Sequence, residues 1–440
     1  MESLPSFLRA NAPWVTAGFL LTFASSFGQT FFIAVFAGEI RTAFDLSHGY
    51  WGAIYALATT SSALIMVWAG SLTDRFRIRH IGFTILIGLA LTTALMSWIS
   101  SVWMLFAAVF LLRLFGQGLM GHCAMVAMAR WFSATRGRAV SIAGLGVAMG
   151  EALLPITFVA LLGVFDWRVL WLVAAGILFA LAPLLWALLR KERTPQSFAQ
   201  DSESAGMQGR MWTRAEALRH PVFWLMIPAL LGPAAWNTAF FFPQTHLAEV
   251  KGWAHVTLVS LFPVFTATSV TFMLIAGWLI DKIGSTRLAA LYLLPLVAGY
   301  LVFASAQTVP AGAIGIVLMG AGTGFHVTMM ATFWAEVFGT RHLGATRAMT
   351  AAVMVLGTAL GPAITGGLID LGLGFPTQSY GIALYFAIAA MLAAFAGSKA
   401  TRALTSQGQS TPTPSSLHED RSCVTRAKQT LKGTRCVLSD

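Results

Sequence analysis

Gly70 and Asp74 recur as Gly277 and Asp281, and the same shift of 207 residues carries Gly137, Gly150 and Pro155 onto Gly344, Gly357 and Pro362. Five matches at one constant offset mean that the chain is built twice. Each copy is apolar and holds several segments long enough to cross a bilayer, which takes about 20 residues per helix. The duplication therefore narrows the fold to an all-α integral membrane protein made of two halves. In such proteins a substrate usually sits between the repeats, which rock to expose it to one side and then the other. The pattern points to a transporter.

Composition fits a chain that mostly faces lipid: 57% of its residues are hydrophobic and 10% charged, where a soluble domain carries about 25% charge. The net charge of +11 sits in short loops and one terminal tail, with no basic face on a folded domain, so nucleic acid is not an expected partner. Cys123, Cys423 and Cys436 form neither metal spacing nor a disulfide framework, and no cofactor or metal is expected. The chain has no H-E-x-x-H, no G-x-S-x-G and no G-x-x-x-x-G-K-[ST] loop, which argues against a membrane-embedded enzyme and against ATP-driven transport.

Twelve segments reach membrane length: 14–38, 50–72, 80–100, 102–126, 137–161, 167–189, 222–247, 255–280, 286–306, 310–332, 344–369 and 378–397, named spans 1 to 12 below. Span 1 is too long for a signal peptide and lacks a basic leader and a cleavage pattern. Of the 28 Lys and Arg residues, only Arg41, Arg168 and Lys251 fall in one set of alternate loops; apart from Arg113, inside span 4, all others fall in the opposite set. By the positive-inside rule both termini are cytoplasmic. The expected organisation is an N-terminal six-helix bundle over 1–189, a linker over 190–221, a C-terminal bundle over 222–397 and a disordered tail over 398–440. Within the linker, Thr213 and Glu216 have capping-box spacing, which predicts a short surface helix ending before Pro221.

The loop after span 2 reads Gly70-Ser-Leu-Thr-Asp74-Arg75-Phe-Arg77, and its copy after span 8 reads Gly277-Trp-Leu-Ile-Asp281-Lys282-Ile-Gly284. Both resemble the signature loop of the major facilitator superfamily, G-x-L-x-D-R-x-G-R-[KR], except that Arg77 stands where the family has Gly. The resemblance spans all twelve segments and implies twelve helices in two pseudo-symmetric six-helix bundles working by alternating access. Independently of the family, a carboxylate at a span end can accept N–H bonds at a neighbouring helix N-terminus, and Arg75 or Lys282 can bridge to another helix. The resemblance makes Gly70, Asp74, Arg75, Gly277, Asp281 and Lys282 a conformational gate on the cytoplasmic side, with the two glycines as close helix contacts. Thr213 to Trp224 and Asp166-Trp-Arg168 look like the monocarboxylate and oxalate–formate branches. However, spans 8 and 11 lack the lysine or arginine that those branches often place there. The Gly-Pro motif of the antiporters, expected in span 5, is reduced to Gly146, Gly150 and Pro155.

Arg113 and Glu151 are ionisable groups deep in the bilayer, where each is a functional candidate by default. Their depths match on consecutive spans, so an Arg113–Glu151 pair is expected. It is either a proton carrier that frees Arg113 for an anion, or a fixed structural pair. Gln117 lies one turn from Arg113 on the same face, whereas His122 lies on the opposite side. By resemblance spans 1, 4, 7 and 10 line the cavity, which adds Ser25 and Gln29, then Asn237, Phe241 and Gln244, then Thr323 and His326. These suit a small organic anion with an apolar part; His326 is an alternative proton site, and His246 and His255 read as interfacial. The reading is a monomeric secondary transporter of the plasma membrane, or bacterial inner membrane, moving a small carboxylate with protons. An exporter of hydrophobic compounds by proton antiport and a non-transporting receptor on a transporter fold stay open beside it.

Overall fold

The computed structural model describes residues 4–69, 72, 76–132, 136–190, 205–339 and 342–408. Gly70, Asp74 and Arg75 therefore lie outside the described residues, as do 191–204 of the linker and the tail beyond 408. All twelve apolar segments are helical. Among the described residues nine helices are long and apolar enough to cross a membrane, and a tenth crossing is the bent pair Ser6–Gly28 and Thr30–Phe44, which meet at 46°. Span 2 is His48–Ala69, and span 9 is Leu294–Ser305 preceded by the single turn Ser285–Leu288.

Local sequence sets where these helices begin. The first N–H groups of a helix have no partner inside it. The Ser101 and Thr308 hydroxyls accept from Met104 N and Ala311 N, and Asp166 accepts from Arg168 N. Helices of spans 7, 8, 9 and 10 carry proline in their first turn, in span 10 alongside the Thr308 cap, where the missing N–H costs nothing.

Most helix contacts fall within spans 1–6 or within spans 7–12, but span 2 packs most heavily on span 11, across the two groups. Two seams join the groups: span 2 runs against span 11, and span 5 against span 8. Because the 207-residue shift carries span 2 onto span 8 and span 5 onto span 11, each seam is the image of the other. The perimeter is apolar and exposed, including Leu57, Leu64, Leu274 and Met391, which a lipid environment explains and water would not. Exposed tryptophans ring it at both ends, Trp68, Trp224 and Trp278 at the end that carries the termini, Trp98 and Trp103 at the far end.

Several segments depart from the expected boundaries. Span 1 breaks at Gln29, which is extended at φ −84° and ψ 157°. Span 7 stops at Phe241, and a new helix starts at Gln244 after Pro243. The helix of span 12 runs on to Gly408 rather than ending at 397.

The linker from Gly206 onward packs on the second group. Trp212 N donates to Phe338 O, and the Trp212 indole N–H donates to Met207 O. A helix over Arg214–Arg219 follows, closed by a reciprocal box in which Thr213 N and its hydroxyl donate to the Glu216 carboxylate while Glu216 N donates to the Thr213 hydroxyl. The bonds from Thr213 hold the Glu216 carboxyl below its ordinary range. The box is therefore intact above the unfolded glutamate range and is lost only as pH falls through the lowered value. Thr213→Ala should speed amide exchange several-fold over 214–219 and leave the spans unchanged, as hydrogen-exchange mass spectrometry would read.

Candidate functional site

The break in span 1 builds the most unusual site in the molecule. Ser25, Ser26 and Gly28 are weak helix formers, and the chain tightens to a 3-10 turn over Ser26–Gly28 before Gln29 swings out. Phe32 N then bonds to Gln29 O, so the Gly28 carbonyl that a continuous helix would have used is left over. Opposite it, span 4 widens into a π-helix over Arg113–Met120, a departure that often marks functional sites. The two irregular stretches press together backbone to backbone: a Cβ on Gly28 would lie 2.2 Å from Leu112 O, and one on Gly116 would lie 2.6 Å from Gly28 Cα.

Arg113 reaches into this junction and is 1% exposed. Its Nη1 donates to Gly28 O at 3.2 Å and to the Thr30 hydroxyl at 3.4 Å. Its guanidinium lies 5.2 Å from the ring centre of Tyr55, whose hydroxyl pairs with Thr30. The other two nitrogens, Nε and Nη2, are buried and have no hydrogen-bond partner among the described residues. Arg113 and Glu151 do not pair. A leftover carbonyl, a hydroxyl and a ring face take the place of the expected carboxylate. Glu151 instead faces the other half of the molecule, accepting from the Thr266 hydroxyl on span 8 at 3.0 Å.

The remaining candidates are scattered. Gln29 and Gln117 are half-buried near Arg113, at the break and one turn along span 4. Ser25 is spent on Thr22 O. Asn237 donates to Thr323 at 2.9 Å, tying spans 7 and 10 together, and its Oδ1 has no partner among the described residues. Phe241 is packed edge-on between Phe262 and Phe265, at 4.8 and 5.2 Å, and is a packing residue of spans 7 and 8. The expected stripe of Asn237, Phe241 and Gln244 fails because the helix breaks between its second and third members. Gln244 belongs to the far-end closure, where its amide donates to Phe31 O of the first half at 3.4 Å and its oxygen meets His255 Nε2 at 3.3 Å. His326 is buried against Tyr292, ring centres 6.0 Å apart, and neither ring nitrogen has a partner among the described residues.

At the termini end, Gly277 makes no close helix contact: a Cβ there would meet nothing within 4 Å. Asp281 is exposed and receives no hydrogen bond among the described residues, and Lys282 lies over its own neighbour Trp278 at 3.8 Å. A carboxylate does close a helix N-terminus beside this loop, but it is Glu336 of span 10, which accepts from Ser285 N and from the Ser285 hydroxyl. Gly28, Thr30, Tyr55 and Thr266 escaped the sequence reading. Tyr55 lies about two turns into span 2, nearer the far end than Arg113, so matching depths along the spans would not have found it.

Known structures share this architecture. A bacterial homologue of the human lysosomal transporter Spinster, solved inward-facing and unoccupied, matches 91% of this chain over 99% of its own, with 16% identity and a TM-score of 0.67. The same homologue inward-facing and occupied matches 94% of the chain over 100% of its own, with 15% identity and a TM-score of 0.65. The nucleoside transporter NupG matches 88% over 99%, with 14% identity and a TM-score of 0.65. No curated protein matches the sequence. The sequence profile of the Major Facilitator Superfamily matches residues 18–362 and 260–435, which covers most of the chain. That match, the twelve helical segments and the two mirrored seams agree: the chain belongs to the major facilitator superfamily, and is a secondary transporter rather than an enzyme.

Proposed function

We propose that this transporter takes up a small organic anion together with protons, and that Arg113 holds the anion's carboxylate. The observation that carries this reading is the state of one guanidinium: Nη1 is spent on Gly28 and Thr30, while Nε and Nη2 are buried and unpaired among the described residues. Those two nitrogens share an edge of the guanidinium plane, and their N–H groups match the two oxygens of a carboxylate. A charge this deep costs at least about 2.5 kcal/mol to bury, so a side chain with half its donors idle is poised for a ligand that brings acceptors. Gln29 and Gln117 supply amide groups for the polar part of such a molecule.

Glu151 is the proton carrier in this reading. A hydroxyl can donate to a carboxylate and accept from a carboxylic acid, so Thr266 suits both protonation states while tying the change to the opposite half. With the Lys- and Arg-rich termini end taken as cytoplasmic, the closed far end is the outer side, which fits the inward-facing arrangement solved for the Spinster homologue. Each copy contains both halves of its site, so the protein works as a monomer in the plasma membrane.

Proteoliposomes loaded with a pH-sensitive dye test the reading with a panel of small carboxylates and apolar cations. A carboxylate should acidify the lumen, and Glu151→Gln should lower that proton flux at least about tenfold while sparing substrate counterflow. Proton movement with apolar cations and none with carboxylates would make the protein an exporter; normal proton-coupled uptake by Glu151→Gln would end the carrier role.

A further inference from the structure

The two halves also meet at the far end, where span 11 terminates against the start of span 2. Asp370, the last residue of span 11, accepts from His48 N at 3.0 Å and from Gly49 N at 2.7 Å, one carboxylate oxygen on each. Those are first-turn donors of a 22-residue helix, so the contact combines charge-assisted hydrogen bonds with the positive end of the helix dipole. The backbones are in close contact. A Cβ on Gly366 would lie 2.3 Å from His48 O, and one on Gly52 would lie 2.5 Å from Pro362 O. Aromatic contacts flank the clamp, with His48 and His246 ring centres 4.8 Å apart and Trp51 stacked on Phe242 at 5.6 Å.

The arrangement is not a by-product of duplication. The 207-residue shift maps His48 onto His255, at the start of span 8, but maps Asp370 onto Gly163, just past span 5. The second seam therefore has a helix start without an opposing carboxylate. Opening the far end must draw the start of span 2 away from the end of span 11, and Asp370 is the charged side chain that bridges them.

We propose that Asp370 is a positioning residue for transport, a far-end clamp that holds the span 2 N-terminus and sets how readily the far side opens. The inference rests on alternating access but not on the substrate or on proton coupling, and its test uses neither. Thr245 lines the closed space beside His48 and His246 and is half-buried against Gly38. In the full-length protein carrying Thr245→Cys, a membrane-impermeant maleimide added from the far side should react slowly. Adding Asp370→Ala should speed that reaction about fivefold, and Asp370→Glu should keep it slow. The buried Cys123 reports on folding and should stay unlabelled. If Asp370→Ala exposes Cys123, the isosteric Asp370→Asn decides by the same two cysteines. Faster labelling at position 245 with Cys123 silent supports the clamp, and an unchanged rate in a folded variant overturns it.

Discussion

Arg113→Met should abolish anion uptake and raise the melting temperature in the same protein. The first half follows from the free edge of the guanidinium. Hydrogen bonds to a charged group contribute about 1.5–3 kcal/mol each, so losing a two-pronged contact lowers uptake at subsaturating substrate by at least about a hundredfold. Arg113→Lys keeps the charge but not the planar fork, and should fall between the two. The rise in stability follows from what surrounds the side chain without its ligand. Nη1 has two partners and a ring face, but Nε and Nη2 have none among the described residues. Replacing a buried, incompletely paired charge by an apolar side chain of similar volume is often stabilising by about 1–4 kcal/mol. Thermal melting and uptake measured on one preparation separate the roles. A structural arginine would lower both on replacement, whereas a ligand-holding one moves them in opposite directions. A fall in melting temperature together with a fall in uptake would reduce Arg113 to scaffolding.

The fold was legible because lipid writes itself into a sequence in the simplest way, as long apolar runs. The duplicated Gly-x-x-x-Asp loop then set the architecture, and the asymmetry of lysine and arginine suggested its orientation. The interior was legible only as far as residue types. Arg113 and Glu151 stood out because charge inside a span is rare, but their partners did not. The acceptor for Arg113 is a main-chain carbonyl released by the break at Gln29, and a released carbonyl leaves no letter in the sequence. Its only trace is the Ser25-Ser26-Phe27-Gly28 run of weak helix formers. Gln244 leaves its expected stripe for a related reason, since Pro243 interrupts the helix that the spacing predicts. Asp370 and Glu336 carry no signal in the sequence because each closes the N-terminus of a helix distant along the chain, and only packing brings each carboxylate to its helix.

The junction that frees the Gly28 carbonyl also makes Gly28 the residue whose smallest enlargement should do the most damage. In Gly28→Ala the added methyl would lie 2.2 Å from Leu112 O and 2.7 Å from Gly116 Cα, both backbone atoms that cannot rotate away. Spans 1 and 4 must then part, and the Arg113 acceptor moves with span 1. Overpacking of this kind costs about 1–3 kcal/mol, within reach of a chain that still folds. A shift of about 1 Å in a positioned group can cost about a hundredfold in rate. Gly28→Ala should therefore lose nearly all uptake for a modest fall in melting temperature. The control is in span 4 itself, where a Cβ on Gly121 would meet nothing within 4 Å. Gly121→Ala should be silent in uptake and gain up to about 1 kcal/mol from helix propensity alone. Equal effects from the two substitutions would mean that the break in span 1 does not govern the site. Loss confined to Gly28→Ala would tie transport to the close crossing of Gly28 and Gly116.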